Sequence, residues 1–191
     1  MPEQSVARPK IDRCMAALLC LAWAGGVFAA PAGAPDSLAT GAPAEPPALL
    51  LPVPGITASA LRDTFGDGRD AGQRGHEAID ILAPAGTPVL AVDDGRIAKL
   101  FLSRPGGITI YQFDSSGRFA YYYAHLERYA DGLAEGQTVR RGSVIGYVGA
   151  TGNTRVDAPH LHFAIFRLGP EMQWWKGEPV NPFSYLGGKP P

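Results

Sequence analysis

Residues 107–123, with the sequence GITIYQFDSSGRFAYYY, carry the clearest structural signal in this chain of 191 residues. Residues 107–113 alternate with a period of two, as expected where successive side chains project to opposite faces of a β-strand. Residues 114–117 are turn formers, and residues 119–123 return to strand-forming, mostly aromatic side chains. The stretch therefore predicts an antiparallel β-hairpin.

Short apolar runs continue on both sides of this hairpin and are broken at close intervals by Gly, Pro and Asp. Residues 88–92 and 96–101 flank the turn Asp93-Asp94-Gly95 and predict a second hairpin. No long window has a helical period, apart from a possible single helical turn at 126–128. We therefore expect an all-β fold, an antiparallel sheet or sandwich. Further strands are expected within 135–142 and at 143–148 and 161–166.

Residues 1–29 are predicted to be a signal peptide. Arg8, Lys10 and Arg13 form a basic start, and the uncharged, mostly apolar residues that follow end in small side chains at Ala29. An uncleaved membrane anchor is the alternative, but residues 14–29 fall short of the roughly 20 apolar residues that a membrane span needs. We therefore expect export to the periplasm, to the cell envelope or out of the cell.

The rest of the chain divides into a linker, a domain and a tail. Residues 30–54 are rich in Pro, Ala and Gly and carry little charge, which is typical of a linker. A short pro-segment that covers a site is the alternative for this stretch. Residues 55–187 are then the folded domain, and residues 188–191 are a short tail.

Charge balance and cysteine placement narrow the chemistry. Lys+Arg 17 against Asp+Glu 18 gives a net charge of -1, so binding to nucleic acid or another polyanion is not indicated. Both cysteines, Cys14 and Cys20, lie inside the predicted signal peptide, so the exported chain would carry no thiol. Any metal site must then use histidine and carboxylate ligands.

Two of the four histidines of the chain form the triplet His160-Leu161-His162. On a strand, both imidazoles project to the same side, while Leu161 and Phe163 face the core. Burying two imidazoles is costly unless their ring nitrogens find partners. The triplet therefore indicates a metal ion or a substrate beside the strand.

His76 and Asp80 form a second candidate pair. In extended chain their side chains share one face, with Ile79 and Ile81 on the apolar face, and a helix would also bring them together. Taken alone, this could be a surface pair, and His125, after a strand-forming run, could face solvent. Together with the His160-Leu161-His162 triplet, however, these residues suit a zinc site. Zinc with three protein ligands leaves a position for water, and a neighbouring base takes that water's proton.

Several phrases extend this pattern along the chain. They are Gly75-His76-x-x-x-Asp80, Ala83-Pro84-Ala85-Gly86-Thr87-Pro88-Val89-x-Ala91, Tyr123-Ala124-His125-Leu126, Val144-Ile145-Gly146-Tyr147-Val148-Gly149, Pro159-His160-Leu161-His162-Phe163 and Pro179-Val180-Asn181-Pro182. In this order they resemble the lysostaphin-type or LytM-type zinc endopeptidases, peptidase family twenty-three, which cut peptide cross-links in bacterial peptidoglycan. The resemblance covers about residues 65–186 and implies the all-β fold of that family, built on a duplicated hybrid motif.

By this resemblance, His76, Asp80 and His162 are the expected ligands of a Zn²⁺ cofactor. His125 and His160 are the expected catalytic residues beside the open position of the metal. They would act as general base toward the water and as donors to the carbonyl oxygen in the transition state.

Two features depart from the family pattern. Ala78 stands where the family usually has Gly, a small change that should not affect the ligands. Residues 167–178 form an insertion that contains Trp174 and Trp175. The two tryptophans could line a substrate cleft or cap the sheet, and we favour the cap.

The resemblance implies that residues 55–187 are an exported zinc metalloendopeptidase that acts on peptidoglycan stem peptides, with a regulatory envelope protein as a possible partner. The bond could be a D-Ala–diaminopimelate cross-link or a glycine bridge. A non-enzymatic regulator of cell-wall amidases is the alternative, although such relatives lack the ligands that this chain keeps. A histidine phosphocarrier of related fold is a weaker alternative, because that role is cytoplasmic and the signal peptide contradicts it.

Overall fold

The computed structural model describes residues 45–69 and 74–187. The predicted signal peptide, most of the predicted linker and the predicted tail at 188–191 lie outside these residues. Within them, the helical segments are two short 3₁₀ helices, Ala58–Ala60 and Phe183–Leu186. None of the helices in this part of the chain is long and apolar enough to cross a membrane.

Antiparallel strands build the described part of the chain, as the sequence predicted. The strands are β1 (Gly68–Arg69), β2 (Arg74–Gly75), β3 (Ile79–Leu82), β4 (Pro88–Leu90), β5 (Gly95–Ser103), β6 (Gly107–Asp114), β7 (Phe119–Tyr129), β8 (Thr138–Val139), β9 (Val144–Val148), β10 (His160–Leu168) and β11 (Gly177–Val180). Strands β1 and β2 pair with each other. The others form a nine-stranded sheet with the path β11-β10-β7-β6-β5-β8, in which β3 pairs with β10 and β9 pairs with β4 and β7.

The hairpin predicted at 107–123 is confirmed and lies in the middle of the sheet as β6 and β7. Asp114 closes its turn, because the Asp114 carboxylate accepts hydrogen bonds from the backbone N–H groups of Ser116 and Phe119 at 3.2 and 2.8 Å. A carboxylate that satisfies backbone donors in this way stabilises a tight turn.

The helical turn considered at 126–128 does not form. Strand β7 extends through these residues because Leu126 and Arg128 pair with Val148 and Tyr147 of β9. The register shifts between these two pairs, which marks a β-bulge. Pairing with a strand that is distant in sequence overrides the weak local signal.

The hairpin predicted across Asp93-Asp94-Gly95 is wrong. Strand β4 pairs with β9, and β5 pairs with β6 and β8, so the strands on either side of this turn are not partners. Buried polar groups hold the connection instead. The N–H of Val92 donates to the Tyr123 hydroxyl at 3.0 Å, and Gln112 Nε2 donates to the Asp93 carbonyl at 2.7 Å. These tertiary contacts redirect the chain where local turn chemistry favours a reversal.

The last residues of the predicted linker pack with the domain. Leu49 and Val53 are buried in the hydrophobic core. The N–H of Leu49 donates to the carbonyl of Tyr185 at 2.8 Å. The last residues of the linker predicted at 30–54 therefore contribute apolar side chains to the core, where burial removes them from water.

The sheet buries one face and opens the other along its central strands. On β10, Leu161, Phe163 and Ile165 are fully buried, whereas His160 and His162 keep exposed surface. The alternation predicted for the His160-Leu161-His162 triplet is therefore confirmed. The apolar side chains hold the strand against the core, and the open face carries the polar groups.

Candidate metal centre

Three metal-ligating side chains converge on the open face of the sheet. Nε2 of His76 lies 3.1 Å from Nδ1 of His162 and 3.1 Å from Oδ1 of Asp80, and these last two atoms are 3.0 Å apart. In the described part of the chain, these residues form a group that could hold a metal ion. The structure thus brings together the three ligands that the sequence predicted.

Strand pairing positions two of the three ligands. Asp80 on β3 is the direct cross-strand partner of His162 on β10, so both side chains project from the same face. His76 is buried just ahead of β3, where its backbone N–H donates to the carbonyl of Asp67 at 2.8 Å. A regular ladder and one adjoining turn therefore set the separation of the ligands.

The carbonyl of Thr64 sets the tautomer of His76. Nδ1 of His76 lies 2.9 Å from this oxygen. A carbonyl oxygen only accepts hydrogen bonds, so Nδ1 carries the proton and the lone pair of the neutral imidazole is on Nε2. Metal-bound histidines commonly have their other nitrogen held in this way. The sequence could not identify Thr64, because the group that acts is a backbone atom.

The contact between His76 and Asp80 indicates a cation. Nε2 of neutral His76 and Oδ1 of Asp80 are both acceptors, yet they are 3.1 Å apart. A second proton on the imidazole or a metal ion must relieve their repulsion. A tetrahedral zinc ion with bonds of about 2.0–2.1 Å separates its ligand atoms by about 3.3 Å. The three atoms that would bind the ion are 3.0–3.1 Å apart, so the residues fit zinc.

His125 reaches the same face through a strained backbone. Its φ is 60°, in the left-handed region, which costs a non-glycine residue roughly 1–2 kcal/mol. The pairing of β6 with β7 shifts register between Ile108 and Ile110, and the N–H of His125 donates to the carbonyl of Gly106 at 2.8 Å. Strain that surrounding contacts hold in place is typical of functional sites.

Thr151 holds His125 from the loop between β9 and β10. Its carbonyl accepts a hydrogen bond from Nδ1 of His125 at 2.8 Å. Its hydroxyl donates to the carbonyl of Leu126 at 2.7 Å and accepts from the N–H of Ile108 at 3.0 Å. A Cβ on Gly152 would overlap the backbone of the β5–β6 turn, so only glycine permits this close approach.

His160 lies beside His125 and Asp80. Nδ1 of His160 lies 3.0 Å from the carbonyl of Ala158, so the lone pair of the neutral ring is on Nε2, 3.7 Å from Oδ1 of Asp80. The rings of His160 and His125 are 5.0 Å apart, and the His125 ring is 5.6 Å from that of His162. The two predicted catalytic histidines therefore border the predicted ligands.

The environment favours the neutral forms of His125 and His162 and the ionised form of Asp80. Burial lowers the pKa of His125 to about 4, although its hydrogen bond to Thr151 opposes this. Burial also lowers the pKa of His162, against an opposing hydrogen bond to Asp80. Burial alone would raise the pKa of Asp80, but its close contacts with the imidazoles of His162 and His76 favour the ionised carboxylate and hold the pKa well below its usual range. At neutral pH, His125 and His162 are therefore neutral and Asp80 carries a negative charge.

The cluster lies in a cleft of about 790 Å³ on the open face. Tyr122 and Phe166 line the cleft beyond the histidines, and Arg155 lines it from the β9–β10 loop. This volume is in the upper part of the range of about 300–1,000 Å³ that is usual for ligand sites. Our sequence analysis missed Tyr122 and Phe166. Phe166 could have been found, because position 166 shares a strand face with His162.

The two tryptophans of the insertion differ in their surroundings. The ring of Trp174 packs 4.9 Å from Tyr111 and 5.2 Å from Phe101, so it caps the sheet as expected. The ring of Trp175 contacts Trp174 at 5.3 Å, but this residue is 63% exposed. Neither tryptophan lines the cleft.

Comparison with known proteins identifies similar sequences. Residues 74–182 match Peptidase family M23. The chain is 35% identical over 130 residues to the L-Ala–D-Glu endopeptidase of Bacillus subtilis, a match that covers 65% of this chain and 40% of that protein. It is 42% identical over 110 residues to the DD-carboxypeptidase/endopeptidase Mpg of Neisseria meningitidis serogroup B, which covers 57% of this chain and 22% of that protein. The chain therefore spans less than half the length of these two relatives.

The fold is also similar to a solved structure. The catalytic domain of lysostaphin from Staphylococcus simulans superposes with a TM-score of 0.57 at 27% identity, over 67% of this chain and 92% of that domain. This similarity confirms the fold class that the sequence predicted.

Proposed function

The chain belongs to peptidase family M23, and on this basis we propose that it is a zinc metalloendopeptidase that hydrolyses the cross-linking peptides of bacterial peptidoglycan. The observation that carries the proposal is the triangle of potential ligand atoms, Nε2 of His76, Oδ1 of Asp80 and Nδ1 of His162, whose spacing fits a zinc ion. It lies beside two further imidazoles in an open cleft. The similarity to endopeptidases supports a peptide-hydrolase activity.

In this proposal, His76, Asp80 and His162 hold the zinc ion. When bound, the ion supplies Lewis acidity at its open position, toward water and toward the scissile carbonyl. The carbonyl of Thr64 keeps His76 in the tautomer that presents Nε2 to the ion. The carboxylate of Asp80 contributes the negative charge that partly neutralises a divalent cation.

His125 and His160 carry the proton transfers. The proton on Nδ1 of His125 is held by Thr151, so Nε2 is the atom that accepts a proton from the attacking water. Nδ1 of His160 is held in the same way by Ala158, which leaves the lone pair of the neutral ring on Nε2, 3.7 Å from Oδ1 of Asp80. Either imidazole, once protonated at Nε2, can donate to the developing oxyanion or to the departing amine.

The substrate class is inferred from the relatives together with the cleft. The relatives from Bacillus subtilis and Neisseria meningitidis are named for L-Ala–D-Glu and DD activities, and bonds that involve D-residues occur in peptidoglycan stem peptides. A cleft of about 790 Å³ has room for an extended peptide segment. We therefore extend this substrate class to the present chain.

Such a substrate lies outside the cytoplasm, so the proposal includes export. The basic start and apolar stretch within residues 1–29 support a cleavable signal peptide. Sequencing the N-terminus of the protein recovered from the cell envelope or the medium should find Ala30 first. A mature protein that still begins at Met1 would contradict cleavage.

Mass spectrometry of purified muropeptides tests the activity. The zinc-loaded protein should convert cross-linked dimers to monomers, and the product masses identify the bond. The His125→Ala variant should leave the dimers intact. Dimers that survive the wild-type protein, with one zinc ion bound per chain, would contradict an autonomous enzyme. Activity restored by an envelope extract would then identify a regulatory envelope protein as the partner, and continued inactivity would favour a regulator.

A further inference from the structure

A row of aromatic rings runs along the open face of the sheet, away from the candidate metal centre. The rings of His162 and Tyr122 are 6.0 Å apart, and those of Tyr122 and Tyr111 are 4.7 Å apart. Tyr111 then contacts Trp174 at 4.9 Å, and Trp174 contacts Trp175 at 5.3 Å. We call Tyr122, Tyr111, Trp174 and Trp175 the aromatic row.

Strand register builds the first half of the aromatic row. Tyr111 on β6 pairs directly with Tyr122 on β7, and Tyr122 pairs with Ala164 on β10, two residues beyond His162. Because direct partners project from the same face, the tyrosines share a face with the metal ligands. Phe166 contacts Tyr122 at 6.4 Å and widens the row where it meets the cleft.

The loop between β10 and β11 builds the other half and is anchored to the sheet. Met172 lies against the backbone of Gly117, where an added Cβ would collide with its side chain. The N–H of Met172 donates to the carbonyl of Gly169 at 2.9 Å, which closes a turn within the loop. Trp174, which follows this turn in the sequence, packs on Tyr111 of the sheet. These contacts anchor the loop to the sheet, and the ring of Trp175 packs against the anchored Trp174.

Trp175 remains exposed although its loop is fixed. An exposed tryptophan adds little to folding, but at a binding surface it buries a large area with little loss of rotamer freedom. Phe101, which contacts Trp174, and Met172 in the same loop are also exposed and add apolar surface. Glu171 and Lys176, in the same loop, carry exposed polar groups. Rigid rings flanked by polar groups are suited to a ligand with both apolar and hydroxyl-bearing surfaces.

We propose that the aromatic row binds sugar rings of a peptidoglycan glycan strand, with Trp175 as its exposed end. This inference rests on the proposed function, because a stem peptide in the cleft is covalently attached to such a strand. The flat faces of pyranose rings present weakly positive C–H groups, which stack on the electron-rich faces of aromatic rings. Polar groups of Glu171 and Lys176 are available to the sugar's hydroxyl and amide groups.

Continuity with the cleft favours a glycan strand over a protein partner. Tyr122 lines the cleft and also begins the aromatic row, and Phe166 lines the cleft beside it. A ligand that leaves the cleft across β7 toward β6 therefore passes from Tyr122 onto Tyr111, the next ring of the row. A peptide tethered to a sugar chain requires such a continuous surface, whereas a protein docking on Trp175 does not.

Glycan strands without peptides test the proposal. Strands freed of stem peptides by an amidase would be titrated into the zinc-loaded full-length protein by isothermal calorimetry. Trp175→Ala should weaken binding about tenfold, as expected for the loss of one stacked ring. Trp175→Tyr, which keeps an aromatic face, should retain most of the affinity. Val144→Ala, at a 42% exposed position on β9, is the control and should leave the affinity unchanged.

Two hydrolysis substrates separate this proposal from the proposed function. Trp175→Ala should raise KM for cross-linked muropeptides that carry glycan chains and should leave hydrolysis of sugar-free cross-linked peptides unchanged. If the wild-type protein cuts neither substrate, the proposed function fails, and calorimetry still decides whether the glycan binds. Equal glycan affinity of the wild type and Trp175→Ala, or no binding by the wild type, would overturn the proposal. So would equal losses on both substrates, since Trp175 would then only support the fold.

Discussion

Asp80 and His162 reach the candidate metal centre by regular pairing of β3 with β10, whereas His125 reaches it from an irregular part of β7. The first two project where ordinary strand alternation sends them. His125 needs a left-handed backbone and a hydrogen bond from its ring to the β9–β10 loop. Two groups that must act within one site thus depend on different parts of the molecule.

This difference teaches that metal binding and proton transfer can be disturbed separately. Asp80 and His162 are supported by the buried side chains of β3 and β10, and densely packed core strands open less readily than loops. The position of His125 depends on a few hydrogen bonds, most of them made by Thr151. Changes in the loop should therefore affect turnover before they affect the metal.

His162→Ala should have the largest effect, because it removes a predicted ligand that regular strand pairing positions. Loss of one of three ligands should weaken zinc binding by more than about 100-fold, since even losing a partner of a ligand costs 10–100-fold. Turnover should fall to background with it. Zinc content after dialysis against a weak chelator, measured by inductively coupled plasma mass spectrometry, checks this. A variant that keeps one zinc ion per chain would contradict the assignment of His162.

His125→Ala, in the irregular part of β7, should separate metal binding from proton transfer. Turnover should fall by about 10²–10⁴-fold, the usual contribution of a general acid or base. Zinc content should match that of the wild type, because His125 is not among the three expected ligands. Muropeptide hydrolysis and zinc content would be measured on the same preparation. Undiminished hydrolysis would remove His125 from the mechanism.

Thr151→Val sharpens the comparison, because it leaves every predicted ligand and catalytic side chain in place. It removes the hydroxyl that bridges Leu126 and Ile108, which should cost about 1–3 kcal/mol of stability for groups left without a partner. Because the same residue's carbonyl holds His125, we expect kcat to drop roughly tenfold, the effect of a loss of about 1.4 kcal/mol in the transition state.

Thr151→Ser is the matched control, since it keeps the hydroxyl and should keep most of the turnover. Urea unfolding, kcat and zinc affinity would be compared for both variants. A loss of zinc affinity as large as the loss of kcat would show that the two sides of the site are not independent.

The smallest expected effect is a pH dependence of the metal-free protein. The pKa of folded His125, about 4, lies below its ordinary value of 6.5, so the unfolded chain binds more protons between these values. The free energy of unfolding should therefore fall as the pH drops from 6.5 toward 4. His162 contributes with the same sign. The depressed pKa of Asp80 removes stability only as the pH falls through and below its ordinary value of 3.8.

Urea unfolding of the metal-free wild type and of His125→Ala at pH 7 and pH 5 measures this dependence. The wild type should lose more stability on acidification than the variant, because the variant lacks one of the groups that must gain a proton. Equal losses in the two proteins would contradict the burial of His125.

The regular side of the molecule was largely predictable from the sequence. The period of two at 107–113 predicted β6, and the alternation around His160-Leu161-His162 predicted which side chains lie on the open face. Spacing alone left His76 and Asp80 undecided between a strand, a helix and a surface pair. The resemblance to a known family, and not spacing, selected them as ligands.

The positions of the His76 and His125 rings could not be predicted, because backbone atoms and contacts distant in sequence set them. The carbonyls of Thr64 and Thr151 hold histidine rings, yet a carbonyl has no side-chain signature. The left-handed φ of His125 is imposed by its neighbours and not by its own preference. The turn at Asp93-Asp94-Gly95 failed as a hairpin signal for the same reason, since the buried side chain of Tyr123 holds that connection.

The attachment of the β9–β10 loop also matters for engineering. The loop is fixed at Thr151 and at Asn153, whose N–H donates to a carbonyl of the β5–β6 turn at 3.0 Å. Beyond these attachments, Arg155 borders the cleft and Val156 is 88% exposed. A combinatorial library at positions 154–157 would alter the rim of the cleft and leave the hydrogen bonds that position His125 unchanged. Residues 154–157 are thus a segment in which substrate selectivity could be varied without moving His125.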